Sequence, residues 1–482
     1  MNEYVSLHTH DSFSVLDGCC SPDEVATKAA VMGMKAVAVT NHGTMAGIPE
    51  FYLACKKHGV KPILGIEAYM VPNHKEHKYF KALSGKEVRS GYHICLLAKN
   101  YKGYKNLIAL NNLAFTDGFY YRPKIDFELL KKHHEGIIVG SACIGGEIGQ
   151  AALGGKDEDI LKVARQFKEV FGEDYYIELQ DNQMMKSDAQ RITNKRLMSL
   201  RSSLDIPFCA TTDSHYLDAE DRKIHDVVVC IGFKRTLKDP AFSGYDGLYH
   251  MKTADELAQS FAPDILRSTL AIAERVEEFE IFSKEMHLPM LIEDADGMLK
   301  MICGAALAGK GLERPEYLER LNRELGVIAK IKMAAYILTV KEIVDTIRRI
   351  DCPLGWGRGS AGGSLVCYVL GITNVDPVRH GLLFERFLNE HRPDYPDIDI
   401  DVAQAKRDEV IAEIIKKYGG DKVAHLSVNL SMKTKILVRD ICRVMDEPIH
   451  VSDHLSKIVP DAVETPEDLV GTAFEKELCE DS

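Results

Sequence analysis

The chain has 482 residues, 45% of them hydrophobic, and a formal net charge of −12. That is material for roughly three domains with a large core, and the acidic balance excludes indiscriminate coating of nucleic acid while leaving room for a local basic channel. No apolar run approaches the ~20 residues of a membrane span, the opening Met1-Asn2-Glu3-Tyr4 lacks an export signal, and twelve scattered cysteines without a CxxC pair read as reduced, so the expected compartment is the cytoplasm, with no membrane partner.

Residues 1 to about 230 alternate strand-like and helix-like segments. Residues 4–7 read as a short apolar strand. Ser21-Pro22-Asp23-Glu24 is a capping box with Pro at the first helical position, and its helix stops near Gly33. Residues 36–40 are a second strand, 48–58 a helix capped by Gly59, and 62–66 a third strand. Further strands are expected at 93–98, 136–140, 175–179 and 208–212, with helices at about 101–115, 158–170 and 186–203. Seven strands with crossover helices predict a parallel sheet in a closed or nearly closed α/β barrel. Turn signals and helices fill 235–285, and residues 314–350 are strongly helical and charged. A Gly-rich segment at 355–363 precedes an apolar helix, an acidic strand and a helix at about 405–418. From about 431 the chain is helical and basic before it turns acidic, ending in a solvated Glu480-Asp481-Ser482.

Metal-capable residues collect just after the predicted strands. His8 and His10 close the first and Asp17 follows; His42 follows the second, Glu67 the third, Cys143 the fifth, and Asp213 and His215 the seventh. In a β/α barrel the loops at C-terminal strand ends converge on one mouth, so these residues should meet. Mixed His, carboxylate and Cys donors suit Zn²⁺, Mn²⁺ or Fe²⁺ better than Mg²⁺, and this many could hold two or three ions. His93 starts its strand, which in a parallel sheet puts it at the wrong mouth. Cys55, Cys95 and His58 read as ordinary packed residues, and His133-His134 as a helix end.

Leu7-His8-Thr9-His10-Asp11-Ser12-Phe13-Ser14-Val15-Leu16-Asp17-Gly18 resembles the opening motif of the polymerase and histidinol phosphatase (PHP) domain, in the form found at the front of bacterial replicative DNA polymerase III alpha subunits. The resemblance continues through Thr40-Asn41-His42-Gly43, Gly65-Ile66-Glu67-Ala68-Tyr69, His93 with Leu97-Ala98-Lys99-Asn100, Ser141-Ala142-Cys143-Ile144-Gly145-Gly146-Glu147 and Thr212-Asp213-Ser214-His215-Tyr216. It implies that His8, His10, Asp17, His42, Glu67, His93, Cys143, Asp213 and His215 bind two or three Zn²⁺ or Mn²⁺ ions. It also implies a metal-dependent phosphoesterase or 3′–5′ exonuclease. Asn41 departs from the Asp common there, which is expected to weaken a supporting contact and leave metal binding intact.

Pro396-Asp397-Ile398-Asp399-Ile400-Asp401 alternates carboxylates with apolar residues. In a strand, residues two apart share a face, so the acids would form a row that calls for divalent cations. A solvated strand edge or a structural Ca²⁺ site is the plainer alternative. The loop Gly355-Trp356-Gly357-Arg358-Gly359-Ser360-Ala361-Gly362-Gly363-Ser364 lets backbone N–H groups approach an anion ahead of a helix N-terminus. Arg358 could fork onto phosphate oxygens, with Ser360 and Ser364 as hydroxyl donors.

This run resembles the palm of the same polymerase family, through Gly357-Arg358-Gly359-Ser360, Gly371-Ile372-Thr373-Asn374-Val375-Asp376-Pro377, Leu383-Phe384-Glu385-Arg386-Phe387-Leu388-Asn389 and the acidic hexapeptide. Asp399 and Asp401 then correspond to two of three catalytic carboxylates holding Mg²⁺, with Asp397 in support. Arg358, Gly359, Ser360 and Ser364 would meet the incoming dNTP. Ser431-Met432-Lys433-Thr434-Lys435-Ile436-Leu437-Val438-Arg439-Asp440 resembles the family's basic helix, with Lys435 and Arg439 near primer or triphosphate phosphates; Val428-Asn429-Leu430 departs from its usual aromatic-glycine turn.

The resemblance therefore implies a seven-stranded PHP (TIM-like) barrel over 1–280, an α+β palm segment over 285–430 and the start of a helical thumb over 431–482. The third aspartate, fingers and clamp-binding part of the family lie outside these residues. The expectation is the N-terminal portion of a DNA polymerase III alpha subunit, acting on primer-template DNA and dNTPs with a separate C-terminal chain and other replisome subunits. The alternatives are a free-standing PHP-type metallophosphoesterase and a non-catalytic replication subunit.

Overall fold

The computed structural model describes residues 4–460, 463 and 468, apart from 77–78, 86, 89, 185, 243, 284–292, 391–395 and 427. The expected end Glu480-Asp481-Ser482 lies outside the described residues. The chain forms two compact units: residues up to Phe282 together with those from Ser431 onward, and Ser283–Leu430.

The first unit is built on a curled sheet in which neighbouring strands are β1 (Ala36–Val39), β2 (Lys61–Met70), β3 (Tyr92–Ala98), β4 (Ile137–Gly140), β5 (Tyr175–Gln180) and β6 (Phe208–Thr211), in that order. A two-residue strand, Lys124–Ile125, pairs with the far end of β2. Residues 4–7 form no ladder of their own, against expectation. The segment is extended instead: Ser6 and Thr9 carbonyls accept from Ala38 and Thr40 of the β1 side at 2.8 Å, and Thr9 bridges to Ser214 beyond β6. It thereby lies between the first and last strands and curls the sheet toward closure.

The sheet is mixed, not parallel. β3 runs antiparallel to both β2 and β4, while the remaining pairs are parallel. Its first residues therefore lie beside the last residues of β2. Gly65 pairs with Leu97, Glu67 with Cys95, and Tyr69 with His93. This reversal carries His93 to the same mouth as the other strand ends.

Side-chain alternation then sorts the inner face into layers. Ala38, Ile63, Leu97, Ile138, Tyr176 and Cys209 pack with Ile272, Ala273 and Val276 of the chain at and after helix Pro263–Arg275 into an apolar plug. Two to four residues further toward the mouth the same strands present Glu67, Cys95, His93, Gly140, Glu178 and Thr211. The opposite faces (Val39, Leu64, Leu96, Val139, Ile177) pack with the surrounding helices in a larger core. The Ser21 box is formed in both directions, and Gly59 ends its helix at φ 70°, where a residue with a Cβ would be strained.

Helices Thr434–Met445 and Ile449–Ile458 belong to this first unit. Val444 packs with Cys230 and Ile231 of helix Arg222–Phe233, and its carbonyl accepts from Leu237 at 3.0 Å.

The second unit is helical among the described residues. Helices Ala295–Gly309, Pro315–Lys330 and Ala334–Arg349 surround the short Leu365–Val369, and Arg407–Tyr418 packs on Ala334–Arg349. The strongly helical stretch 314–350 is two helices, separated at Lys332, which takes φ 59°. The expected acidic strand is an extended segment without a ladder; its one bridge joins Val402 to Leu354. Alternation survives the missing ladder, because Ile398 and Ile400 pack on the unit's core.

Candidate functional site

The barrel mouth gathers the nine residues expected to bind metal. His8 Nε2 lies 3.3 Å from Glu67 Oε1 and 3.2 Å from Asp213 Oδ1. His10 Nε2 is also 3.2 Å from Asp213 Oδ1, and its Nδ1 meets Ser14 Oγ at 3.0 Å. His42 places Nδ1 2.6 Å from Glu67 Oε2 and Nε2 3.2 Å from Asp17 Oδ2 and 3.3 Å from His215 Nε2. His93 Nδ1 stands 2.9 Å from Glu67 Oε1 and 3.8 Å from Cys143 Sγ. His215 turns Nδ1 to the Asp213 carbonyl at 2.8 Å, which frees Nε2 for the centre. Asp213 itself takes φ 51°, a left-handed conformation that a non-glycine residue adopts only under constraint.

Donor atoms of His10, His42 and His215 lie within 4.8 Å of one another, as do those of His8, His10 and Asp213 and of His42, Glu67 and His93. Glu67 Oε2 and His42 Nδ1 are buried without a hydrogen bond although they nearly touch. Two buried lone-pair atoms left unbonded in this way fit a shared cation. Burial, with His42 and His215 alongside, pushes the His10 imidazole down to about 3, so it is neutral and able to ligate. Burial works against ionising Glu67, but His93 and His42 hold its carboxyl well below the usual range. Burial likewise opposes the charge on Asp17, and His215, His225 and His42 outweigh it. Burial raises the Cys143 thiol.

Several neighbours were not legible in the sequence. Glu178 accepts from His8 Nδ1 at 2.9 Å, from the Ala142 N–H at 2.8 Å and from Thr211 Oγ1 at 2.8 Å. A Cβ on Gly140 would come 2.2 Å from Glu178 Oε1, so a glycine there is what admits this carboxylate. Asp17 is gripped by His225 Nε2 at 3.2 Å and by the Tyr245 hydroxyl at 2.7 Å. Cys95, read as a packed residue, lies with Sγ 3.2 Å from His8 Nδ1. The position of Glu178 two residues after inward Tyr176 was the available signal; His225 and Tyr245 had none. Asn41 accepts from the Asp11 N–H at 2.9 Å and from Ser14 Oγ at 2.8 Å, and donates to Asp11 Oδ1 at 2.7 Å. An ionised aspartate could accept but not donate, so Asn41 fits its surroundings here and holds the loop that carries Ser14 against His10.

In the second unit Arg358 Nη2 meets Asp399 Oδ1 at 2.9 Å and its Nε lies 3.9 Å from Asp401 Oδ1. Both carboxylates therefore point to one side, while Asp397, exposed like Asp401, makes no such pair among the described residues. The Gly loop runs alongside: added Cβ atoms on Gly355 and Gly359 would come 2.9 Å from Asp401 Cβ and Asp399 Oδ2. Asn374 fastens the loop by donating its N–H to the Trp356 carbonyl at 2.8 Å. Ser360 begins a 3-10 turn over Ser360–Gly363. Ser364 differs from expectation. It is fully buried, its hydroxyl bonds Glu324 Oε2 at 2.9 Å, and it caps helix Leu365–Val369. Glu324, itself fully buried, also accepts from the N–H groups of Leu365 (2.9 Å) and Val366 (3.0 Å) and pairs with Arg320 Nε at 2.6 Å. A buried carboxylate thus occupies the helix N-terminus where an anion was expected. Lys435 and Arg439 lie on the first unit's helix Thr434–Met445, and Arg439 is engaged with Asp453 at 3.2 Å and Ser456 at 3.1 Å.

Residues 6–182 match the family model of the PHP domain, and residues 295–480 that of the bacterial DNA polymerase III alpha NTPase domain. The first unit thus carries a match to the PHP domain, and its mouth gathers a donor set able to hold metal ions. The chain is 38% identical over 480 residues to the DNA polymerase III subunit alpha of Aquifex aeolicus, 37% over 470 to that of Borreliella burgdorferi and 34% over 492 to that of Helicobacter pylori. Each alignment takes in 95% of this chain, which spans 41%, 40% and 40% of those relatives' lengths. The chain is a homologue of the N-terminal portion of DNA polymerase III alpha subunits. Among the described residues no helix is long and apolar enough to cross a membrane.

Proposed function

We propose that this chain supplies the PHP domain and the first palm segment of a C-family replicative DNA polymerase working in the cytoplasm. The observation that carries the reading is the shared guanidinium: Asp399 and Asp401 reach the same Arg358 beside a glycine loop. Asp399 and Asp401 would hold Mg²⁺, which when bound supplies the charge that nucleotidyl transfer needs at the attacking and leaving oxygens. Arg358, Gly359 and Ser360 face the dNTP phosphates, with Ser364 and Glu324 holding the loop behind them. Lys435 and Arg439 serve phosphates of the primer or triphosphate. The third carboxylate, fingers and clamp-binding part lie outside these 482 residues and are added in the test as a separate C-terminal chain; primer-template DNA and other replisome subunits are the remaining partners.

At the barrel mouth His8, His10, Asp17, His42, Glu67, His93, Cys143, Asp213 and His215 would hold two or three Zn²⁺ or Mn²⁺ ions. Such ions supply Lewis acidity toward a phosphodiester, and the activity that fits is 3′–5′ exonuclease or phosphoesterase cleavage. In that reaction the neutral His10 binds, Glu178 fixes the ring of His8, and Tyr245 and His225 orient Asp17. A free-standing PHP phosphoesterase would need neither the glycine loop nor the acid pair.

The test is primer extension and 3′-end degradation by the purified chain with and without the candidate C-terminal chain. Extension should need both chains and vanish in Asp399→Asn. Extension by these 482 residues alone would refute the division of the palm. Degradation that survives His8→Ala combined with Asp213→Ala would remove that chemistry from the barrel.

A further inference from the structure

We propose that Cys95 is a further metal-ligating residue, a thiolate donor that completes the deepest position of the barrel centre with His8 and Glu67. The inference rests on the metal-centre reading above and adds to it a residue and a preference for thiophilic ions.

The backbone puts the thiol there. Cys95 pairs with Glu67 across the antiparallel β2–β3 ladder, and directly paired residues project from the same face. It is also two residues from His93, so β3 presents His93-x-Cys95 inward just as the first segment presents His8-x-His10. On its other side Cys95 pairs with Gly140, which has no side chain to fill the space. Cys95 Sγ is buried, 3.2 Å from His8 Nδ1 and 3.5 Å from its Nε2. The Cys95, His8 and Glu67 donors all lie within 4.8 Å of one another, and all three residues are buried. A cavity of about 20 Å³ lies beside Cys95 on the side of the apolar plug, with Glu178 and Thr211 also in its wall.

Chemistry selects the ion. A packed cysteine asks only for apolar neighbours, yet this one is set among an imidazole and carboxylates. Thiolate, imidazole and carboxylate together form a donor set for Zn²⁺ and its thiophilic analogues Co²⁺ and Cd²⁺, with little affinity for Mg²⁺. Binding replaces the S–H bond by a sulfur–metal bond, and the thiol proton leaves to solvent. Cys143, beside His93, gives the centre a second sulfur at a shallower place.

Cobalt substitution tests this without any turnover assay. Protein stripped with chelator is reloaded with Co²⁺, its metal content is measured, and the near-ultraviolet sulfur-to-cobalt charge-transfer band is recorded. The band should fall to about half in Cys95→Ser and in Cys143→Ala, and disappear in the double variant. A band untouched by Cys95→Ser, or abolished by Cys143→Ala alone, overturns the assignment while leaving the metal centre standing. Protein that takes up no cobalt at all sinks the centre and Cys95 with it. If the double variant does not fold, as judged by far-ultraviolet circular dichroism, the two single variants decide the matter.

Discussion

Removing the Glu324 carboxylate should unfasten the glycine loop. In Glu324→Ala the N–H groups of Leu365 and Val366 and the Ser364 hydroxyl lose their acceptor. Arg320, only 15% exposed at its side chain, loses the partner of its charge while still donating to the Gly363 and Leu382 carbonyls. Breaking a buried ion pair from one side costs about 3–5 kcal/mol, and an orphaned helix start about 1 kcal/mol more, so about 5 kcal/mol is expected. With an m-value of about 2 kcal/mol/M in urea, the unfolding midpoint of the second unit should drop by about 2.5 M. The chain has one tryptophan, Trp356, and it sits in this loop, so its fluorescence reports the transition directly. Combined with Arg320→Ala, the two losses should fall short of additivity by about 2 kcal/mol or more, because both remove the same pair. A midpoint shift under about 0.5 M in Glu324→Ala, or strict additivity in the double variant, would refute the idea that this pair holds the loop.

Burial pushes the Glu147 carboxyl up to about 6 from 4.5. A raised carboxyl pKa means that wild type loses stability as pH climbs through that interval, so Glu147→Gln should gain about 0.8 kcal/mol at pH 5 and about 2 kcal/mol at pH 8 in urea unfolding. A gain that shrinks with rising pH would show the sign to be wrong. Gly359→Ala, at φ 70° with its new Cβ 2.9 Å from Asp399 Oδ2, should cost about 1–2 kcal/mol by Trp356 fluorescence. Gly362→Ala, whose Cβ meets nothing within 4 Å, should be close to neutral, and equal losses would remove the steric argument. Chelation followed by dialysis should lower the melting temperature of the first unit. Zn²⁺ or Mn²⁺ at about 100 times its dissociation constant should restore about 2.7 kcal/mol, and an unchanged melting curve would speak against a resident ion.

Local pattern alone located the strands β1 to β6, the capping box at Ser21 and the ligand types at strand ends, because period-two burial and cap chemistry are properties of neighbouring residues. It also put Asp397, Asp399 and Asp401 in one row opposite Ile398 and Ile400; Asp399 and Asp401 share Arg358 and the isoleucines pack on the core without any ladder, while Asp397 makes no such pair among the described residues. Strand direction was another matter. Parallel and antiparallel strands bury side chains with the same period, so nothing within residues 92–98 told β3 to reverse, and only the assembled sheet brought His93 and Cys95 to the mouth. The partners of buried charge were scarcely better marked, Glu178 alone carrying a signal in its place two residues after inward Tyr176. Glu178 beneath His8, His225 beside Asp17, and Glu324 at the start of helix Leu365–Val369 stand 170, 208 and 41 residues from what they hold. Their meeting is decided by tertiary packing, since a carboxylate or imidazole taken out of water must find its counterpart wherever the fold delivers one.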